Sequence, residues 1–177
     1  MSLAPLIEAL PSYARDLGQN LGVLEAETIL TDQQKWGTFV ASAHAVATPA
    51  VVQAIETAAT QAGLSAEAMT AAKAAAAIMG MNNIYFRSLH MLHNKEYRHL
   101  PARLRMRAIT EPGVDKTDFE LWELAVSAIH GCDECLNVHE PALKARGASP
   151  LQIQTVLRIA AVVHAVSRAM AGVAAEE

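Results

Sequence analysis

Residues 117–147 read TDFELWELAVSAIHGCDECLNVHEPALKARG, two helical patterns that meet at Gly131. In the first pattern, apolar residues recur every three or four positions after a capping residue, Thr117 or Asp118. Gly131 ends this helix, and a second helix is predicted from residue 132 to about residue 146, where the next glycine closes it. The sequence therefore predicts two helices joined by a sharp turn.

The chain contains two cysteines, Cys132 and Cys135, and both follow this turn. Two thiols separated by two residues can close a small disulfide, and C-x-x-C pairs have a lowered thiol pKa. Cys135 and His139 are four residues apart and share one helix face at about 6 Å, with Cys132 one turn earlier. Thiol, thiol and imidazole are therefore expected in one pocket, which is the composition of a redox site.

A carboxylate belongs to the same predicted site. In one straight helix, Glu120 would lie roughly 18 Å from Cys132 at 1.5 Å per residue, too far to interact. The chain must therefore fold back at Gly131, and an antiparallel return brings His139 opposite the start of the first helix. Spacing alone leaves two candidates for the partner of His139, Glu120 and Glu123.

Two other interpretations of the cysteines stay open. They are inert core residues, or they bind zinc together with His130 and His139, which would place four ligands within ten residues. A helix that carries three of these ligands makes tetrahedral coordination awkward. Three histidines have no ligand pattern and are expected on a polar surface: His90, His93 and His99. Three others lie in apolar helices and are expected to be hydrogen-bonded core residues: His44, His130 and His164.

Composition limits the class of protein. The 177 residues are 52% apolar, enough to bury a core in one domain or two fused halves. A net charge of −4 argues against a nucleic-acid partner. The start, MSLAPLIE, does not have the pattern of a signal peptide, and no uninterrupted apolar run is long enough to span a membrane, so a cytoplasmic protein is expected. The chain has no G-x-G-x-x-G motif or P-loop, so it should not bind a nicotinamide or flavin through those motifs.

Helical patterns also fill the rest of the chain, so an all-α fold is predicted. Start signals occur at Ser12, Thr31 or Asp32, Thr48–Pro49, Ser65, Thr117 and Ser149–Pro150. An internal repeat accompanies them at an offset of 86 residues, matching Asp32, Trp36, Val40 and His44 with Asp118, Trp122, Val126 and His130. The first half, about residues 1–87, is predicted to be the same helical unit without the redox residues. The second half, about residues 114–177, carries the C-x-x-C site.

A basic segment lies between the halves. Residues 87–107 carry six lysines and arginines against one acid, Glu96. Such a segment is usually a solvated face or a set of ion pairs with neighbouring acids. The alternative is a surface that docks an acidic partner or a second subunit.

The pattern Glu120-x11-Cys132-x2-Cys135-x3-His139 resembles the signature of the alkylhydroperoxidase AhpD family, within the carboxymuconolactone decarboxylase superfamily. Further segments extend the resemblance over nearly the whole chain: Leu10-Pro11, Tyr13-Ala14, Met81-Asn82-Asn83, Phe86-Arg87, Leu104-Arg105-Met106, Pro112-Gly113-Val114 and Phe119-Glu120-Leu121-Trp122. The resemblance implies one all-helical domain over residues 1–177, built from a duplicated unit and assembled as a homotrimer.

The resemblance also implies a role for each site residue. Cys135 corresponds to the cysteine that attacks the peroxide, passes through sulfenic acid and forms a mixed disulfide with the peroxiredoxin AhpC. Cys132 corresponds to the proton donor that then closes the disulfide, and Glu120 and His139 correspond to the proton relay. The implied activity is that of an antioxidant, lipoyl-dependent alkyl hydroperoxide reductase. Such an enzyme has no tightly bound cofactor or metal and takes electrons from dihydrolipoamide on a 2-oxoacid dehydrogenase acyltransferase.

One residue departs from the family pattern. Some members carry histidine directly before the second cysteine, where this chain has Glu134. An anion there is expected to raise the thiol pKa and to weaken peroxidase activity. Two other functions would not need a redox dithiol, namely a carboxymuconolactone decarboxylase-like enzyme and a zinc-binding helical interaction module.

Overall fold

The computed structural model describes residues 2–173, and the regular secondary structure in this range is entirely helical. The predicted all-α fold is confirmed. Short 3-10 helices occur at Ser12–Ala14 and Lys95–His99. The nine α-helices of this range are α1 Ala4–Glu8, α2 Arg15–Glu25, α3 Asp32–Val46, α4 Pro49–Gln61, α5 Ala66–Met91, α6 Arg107–Thr110, α7 Lys116–Ile129, α8 Asp133–Ala145 and α9 Pro150–Val173.

Capping side chains start three of the long helices where the sequence predicts. Thr31 accepts a hydrogen bond from the Gln34 amide, and the Gln34 side chain accepts one from the Thr31 amide, which completes a capping box on α3. The Ser65 hydroxyl accepts from the amide of the third residue of α5. Ser149 caps α9 through the Gln152 amide in the same way. The signal at Ser12 is displaced, because only a 3-10 turn forms there and α2 begins at residue 15.

The start of α7 also differs from the prediction. Asp115 caps the helix instead of Thr117 or Asp118, because its carboxylate accepts from both of their amides, at 2.7 and 3.2 Å. Asp118 is used elsewhere: its carboxylate accepts hydrogen bonds from the side-chain amides of Gln33 and Gln34, at 2.7 and 2.8 Å. These bonds fix the first turn of α7 against α3.

The core lies between α3, α5, α7 and α9, and α3 packs against α7. Trp122 and Phe39 are among the largest fully buried side chains. A Cβ at Gly37 of α3 would lie 2.2 Å from the Trp122 ring, so only glycine permits this approach of the two helices. The indole N–H of Trp122 donates to the Gln34 carbonyl at 3.2 Å. The predicted duplication, in which α3 corresponds to α7, stays a prediction.

Helix α9 is long and apolar enough to cross a membrane by length and composition, which differs from the expectation that no segment would qualify. In the fold, α9 packs against α2, α3, α4 and α7. Its buried side chains, including Val156, Ile159 and Val163, belong to the core. A core helix passes the same hydropathy test as a membrane span.

Candidate active site

Cys132 and Cys135 form a disulfide at the junction of α7 and α8. Gly131 has φ of 63°, the left-handed conformation that favours glycine, and turns the chain back on itself. Cys132 is the N-cap of α8, and its sulfur accepts a hydrogen bond from the Cys135 amide at 3.3 Å. The helix therefore begins at Asp133, one residue later than predicted, and Cys132 lies just outside it.

The two sulfurs differ in their access to solvent. Cys132 is fully buried, whereas Cys135 is 6% exposed. His139, one turn further along α8, is 8% exposed. A small molecule approaching from solvent therefore meets Cys135 before Cys132.

Glu120 is the carboxylate that contacts His139. Its Oε1 lies 2.7 Å from the imidazole Nδ1, across the gap between α7 and α8. The predicted fold-back at Gly131 produces this contact, and it selects Glu120 over Glu123 as the hydrogen-bond partner. When Nδ1–H donates to Glu120, the neutral imidazole keeps Nε2 as its basic nitrogen. The pair is thus arranged for His139 to accept a proton at Nε2 and for Glu120 to stabilise the resulting imidazolium.

Glu123 lies beside this pair without bonding to it. The side chain is 1% exposed, and its Oε1 has no hydrogen-bond partner within the described residues. Burial raises the pKa of Glu123 to about 8, and the negative charge of Glu120 contributes further. Glu123 is therefore a neutral carboxylic acid at neutral pH.

Two basic side chains lie beside the first turn of α8, one from the last turn of α5 and one from the 3-10 helix that follows it. The Nδ1 of His90 lies 2.7 Å from a Glu134 carboxylate oxygen, and the Nε2 of the same ring lies 3.4 Å from Asp133. Arg98 is 3.0 Å from His90 Nδ1 and 4.0 Å from Glu134. The Arg98 guanidinium opposes the negative charge that Glu134 places next to Cys135, and the His90 ring lies within hydrogen-bond distance of the same carboxylate. His90 is one of the histidines expected on a polar surface, and Arg98 belongs to the basic segment, which here forms an ion pair with a neighbouring acid.

Helix α5 also holds the turn that precedes the cysteines. The Arg87 guanidinium donates to the His130 carbonyl, and the side-chain amide of Asn83 lies 3.1 Å from His130 Nδ1. Ser127 in turn donates to the Asn83 side-chain oxygen at 3.1 Å. Burial, with a smaller contribution from the Arg87 charge, lowers the pKa of His130, so this imidazole is neutral.

The alternative zinc ligands are not brought together. The cysteines bond to each other, while His130 contacts Asn83 and His139 contacts Glu120. Among residues 2–173, the one group of three or more potential metal ligands whose ligand atoms lie within 4.8 Å is Glu120, Glu123 and His139.

Comparison with known proteins decides the family. The alkyl hydroperoxide reductase AhpD of Maricaulis maris (strain MCS10) is 55% identical over 171 residues, which cover 97% of this chain and 98% of that protein. The AhpD of Hyphomonas neptunium (strain ATCC 15444) is 53% identical, over 99% of this chain and 97% of its own length. The chain belongs to the AhpD family. The model of the Carboxymuconolactone decarboxylase family matches residues 95–177, a range that contains every predicted site residue.

In this AhpD family member, the structure places the two cysteines at the α7–α8 junction and joins Glu120 of α7 to His139 of α8 by a hydrogen bond. From the sequence, Glu123 is only a rival to Glu120 for the contact with His139. The contact of His90 with Glu134 was not predicted. One signal for His90 was available, because the acidic pair Asp133 and Glu134 is complementary to the basic segment that begins at residue 87. Nothing in the sequence indicates that Asn83 supports the turn, although its segment resembles the family.

Proposed function

We propose that the chain is an antioxidant thiol oxidoreductase that reduces organic hydroperoxides and re-reduces the oxidised peroxiredoxin AhpC. It would do so by cycling Cys132 and Cys135 between dithiol and disulfide. One observation carries the proposal: the bonded cysteine pair lies at the start of a helix whose next turn holds His139 against Glu120. The relatives' name, alkyl hydroperoxide reductase AhpD, supports the same activity.

In the first step, the Cys135 thiol gives its proton to Nε2 of His139. Cys135 is assigned this role because it is the more exposed sulfur and lies in the first turn of α8, where the helix dipole favours a thiolate. The thiolate attacks one peroxide oxygen and the O–O bond breaks. Cys135 becomes sulfenic acid, and the leaving alkoxide takes the proton of the Cys132 thiol to become an alcohol.

In the second step, Cys132 attacks the sulfenic acid. The Cys132 sulfur bonds to the Cys135 sulfur, hydroxide leaves and is protonated to water, and the disulfide of the structure results. The two thiols lose two electrons, which the peroxide gains, and both thiol protons end in the alcohol and the water. The Cα atoms are 5.3 Å apart, which suits a disulfide without movement of the backbone.

An external dithiol must then restore the thiols, because thiol–disulfide exchange consumes one dithiol per cycle. The proposed donor is dihydrolipoamide, carried by a lipoylated 2-oxoacid dehydrogenase acyltransferase. To reduce oxidised AhpC, the Cys135 thiolate would attack the AhpC disulfide and form a mixed disulfide, which Cys132 would then resolve. We also propose a cytoplasmic homotrimer, since the family resemblance implies the trimer and a reducing compartment suits the dithiol.

A coupled assay tests this function. Lipoamide dehydrogenase, NADH, lipoamide and cumene hydroperoxide are combined with the protein, with and without AhpC, and NADH consumption is followed. Peroxide-dependent consumption is expected with the wild type and not with Cys135→Ser. Glu140→Gln, at a half-buried position of α8, is the matched control and should behave as the wild type.

The opposite outcome has a clear meaning. If dihydrolipoamide reduces the disulfide but peroxide consumes no NADH, with or without AhpC, the oxidoreductase proposal is refuted. A decarboxylase of the wider superfamily would be indicated instead if Cys135→Ser kept activity on a carboxylated lactone.

A further inference from the structure

Glu123 is a buried titratable residue for which the proposed reaction has no step. It lies on α7, three residues after Glu120 and therefore on the same face of the helix. Its side chain is 1% exposed, and its Oε1 is unpartnered within the described residues. An ionised carboxylate is strongly disfavoured in such surroundings unless a cation or several donors face it.

The two relay residues, Glu120 and His139, are titratable neighbours of Glu123. Donor and acceptor atoms of Glu120, Glu123 and His139 lie within 4.8 Å of one another. The hydrogen bond of 2.7 Å joins Glu120 and His139, so Glu123 can influence them only through its charge state. Burial and the Glu120 charge both favour its protonated form.

Helices α3, α5, α8 and α9 pack against α7 and carry other titratable groups. Within residues 2–173, none of these groups forms a hydrogen bond or an ion pair with Glu123. On α5, Lys73, Arg87 and His90 contact Glu56, the His130 carbonyl and Glu134. The remaining groups are Asp32, Lys35 and His44 on α3, Glu67 and Tyr85 on α5, Asp133, Glu134, Cys135, Glu140 and Lys144 on α8, and Arg158, His164 and Arg168 on α9.

We propose that Glu123 is a positioning residue of the relay, a neutral carboxylic acid that leaves Glu120 as the single carboxylate facing His139. This inference rests on the proposed function. A relay must accept the Cys135 proton at His139 Nε2 and then return it to the hydroxide that leaves the sulfenic acid when the disulfide closes. A second carboxylate beside the imidazolium would hold that proton more tightly and slow its return.

The inference predicts a specific effect of pH. When Glu123 ionises near pH 8, peroxide reduction should fall, because the relay then carries two negative charges. Glu123→Gln keeps the size and neutrality of the acid but cannot ionise. The ratio of variant to wild-type rate should therefore rise roughly tenfold between pH 6.5 and pH 9, one unit above that pKa.

Infrared spectroscopy provides the direct test. The oxidised wild-type protein at pH 6.5 should show the carbonyl band of a protonated carboxyl group, which disappears with a midpoint near pH 8. Glu123→Gln should lack this band, Glu123→Asp should restore it at a shifted position, and the control Glu140→Gln should retain it. Circular dichroism confirms that each variant is folded.

Two results would overturn the inference. One is a wild-type spectrum at pH 6.5 that does not differ from Glu123→Gln in the protonated-carboxyl region. The other is a pair of pH–rate profiles that run parallel for these two proteins. Because the infrared experiment needs no peroxide, AhpC or lipoamide, it separates the two proposals: a Glu123 band in a protein that reduces no peroxide refutes the function and leaves the neutral acid standing.

Discussion

Burial of Glu123 should make the stability of the protein decrease as pH rises, and Glu123→Gln should remove this contribution. The carboxyl group ionises at its ordinary value of 4.5 in the unfolded chain and at about 8 in the folded protein. Between these values the folded protein holds a proton that the unfolded chain has released, so the free energy of unfolding decreases as pH rises. The loss is absent below pH 4.5 and complete above about pH 8.

One proton changes the free energy of unfolding by about 1.36 kcal/mol per pH unit. From pH 5.5 to 7.5, the wild type should therefore lose about 2.5 kcal/mol relative to Glu123→Gln, because the folded-state carboxyl is already partly ionised at the upper end. Urea unfolding of the oxidised proteins, followed by circular dichroism at several pH values, measures this difference. Glu140→Gln should run parallel to the wild type, because 42% of its side chain is open to solvent. If Glu123→Gln also runs parallel, Glu123 is already ionised in the folded protein and the reasoning fails.

Three further predictions concern the thiols, the relay and the start of α8. Cys132→Ser should leave Cys135 trapped as sulfenic acid or as a mixed disulfide with AhpC, detectable by mass spectrometry; trapping of Cys132 in the Cys135→Ser variant would reverse the assignment. Glu120→Gln should lower kcat/KM for peroxide by roughly 10²-fold in a folded protein, and an unchanged value would contradict the relay. His90→Asn should slow iodoacetamide alkylation of reduced Cys135, because Glu134 loses its partner. Adding Glu134→Gln should restore the rate, and a rate unaffected by His90→Asn would argue against charge compensation.

The helices of the chain were predictable because local signals set most of them. Thr31, Ser65 and Ser149 cap helices at the predicted places. The predicted start of α7 was wrong because the Asp118 carboxylate accepts hydrogen bonds from two glutamine side chains of α3. No local sequence pattern reveals this tertiary contact. The prediction for His164 was also wrong, since its Nδ1 is buried without a hydrogen-bond partner in the described residues.

The site was predictable as far as sequence spacing along two adjacent helices determines it. The turn at Gly131 and the interval from Glu120 to His139 brought carboxylate and imidazole together. Spacing left Glu120 and Glu123 equivalent, because residues three apart on one helix share a face. Their difference arises from burial, which depends on how the other helices cover α7. For the same reason, the contact of His90 with Glu134 spans 44 residues and could not be obtained from either segment alone.

A single-turnover experiment tests the central claim most directly, that Cys132 and Cys135 form the redox couple for peroxide. Fully reduced protein is mixed with one equivalent of cumene hydroperoxide, and thiols, cumyl alcohol and disulfides are quantified. The account predicts that two thiols disappear for each alcohol formed, that peptide mapping finds the Cys132–Cys135 disulfide, and that dihydrolipoamide restores both thiols. Alcohol formation without loss of these thiols, or thiols that survive excess peroxide, would contradict it.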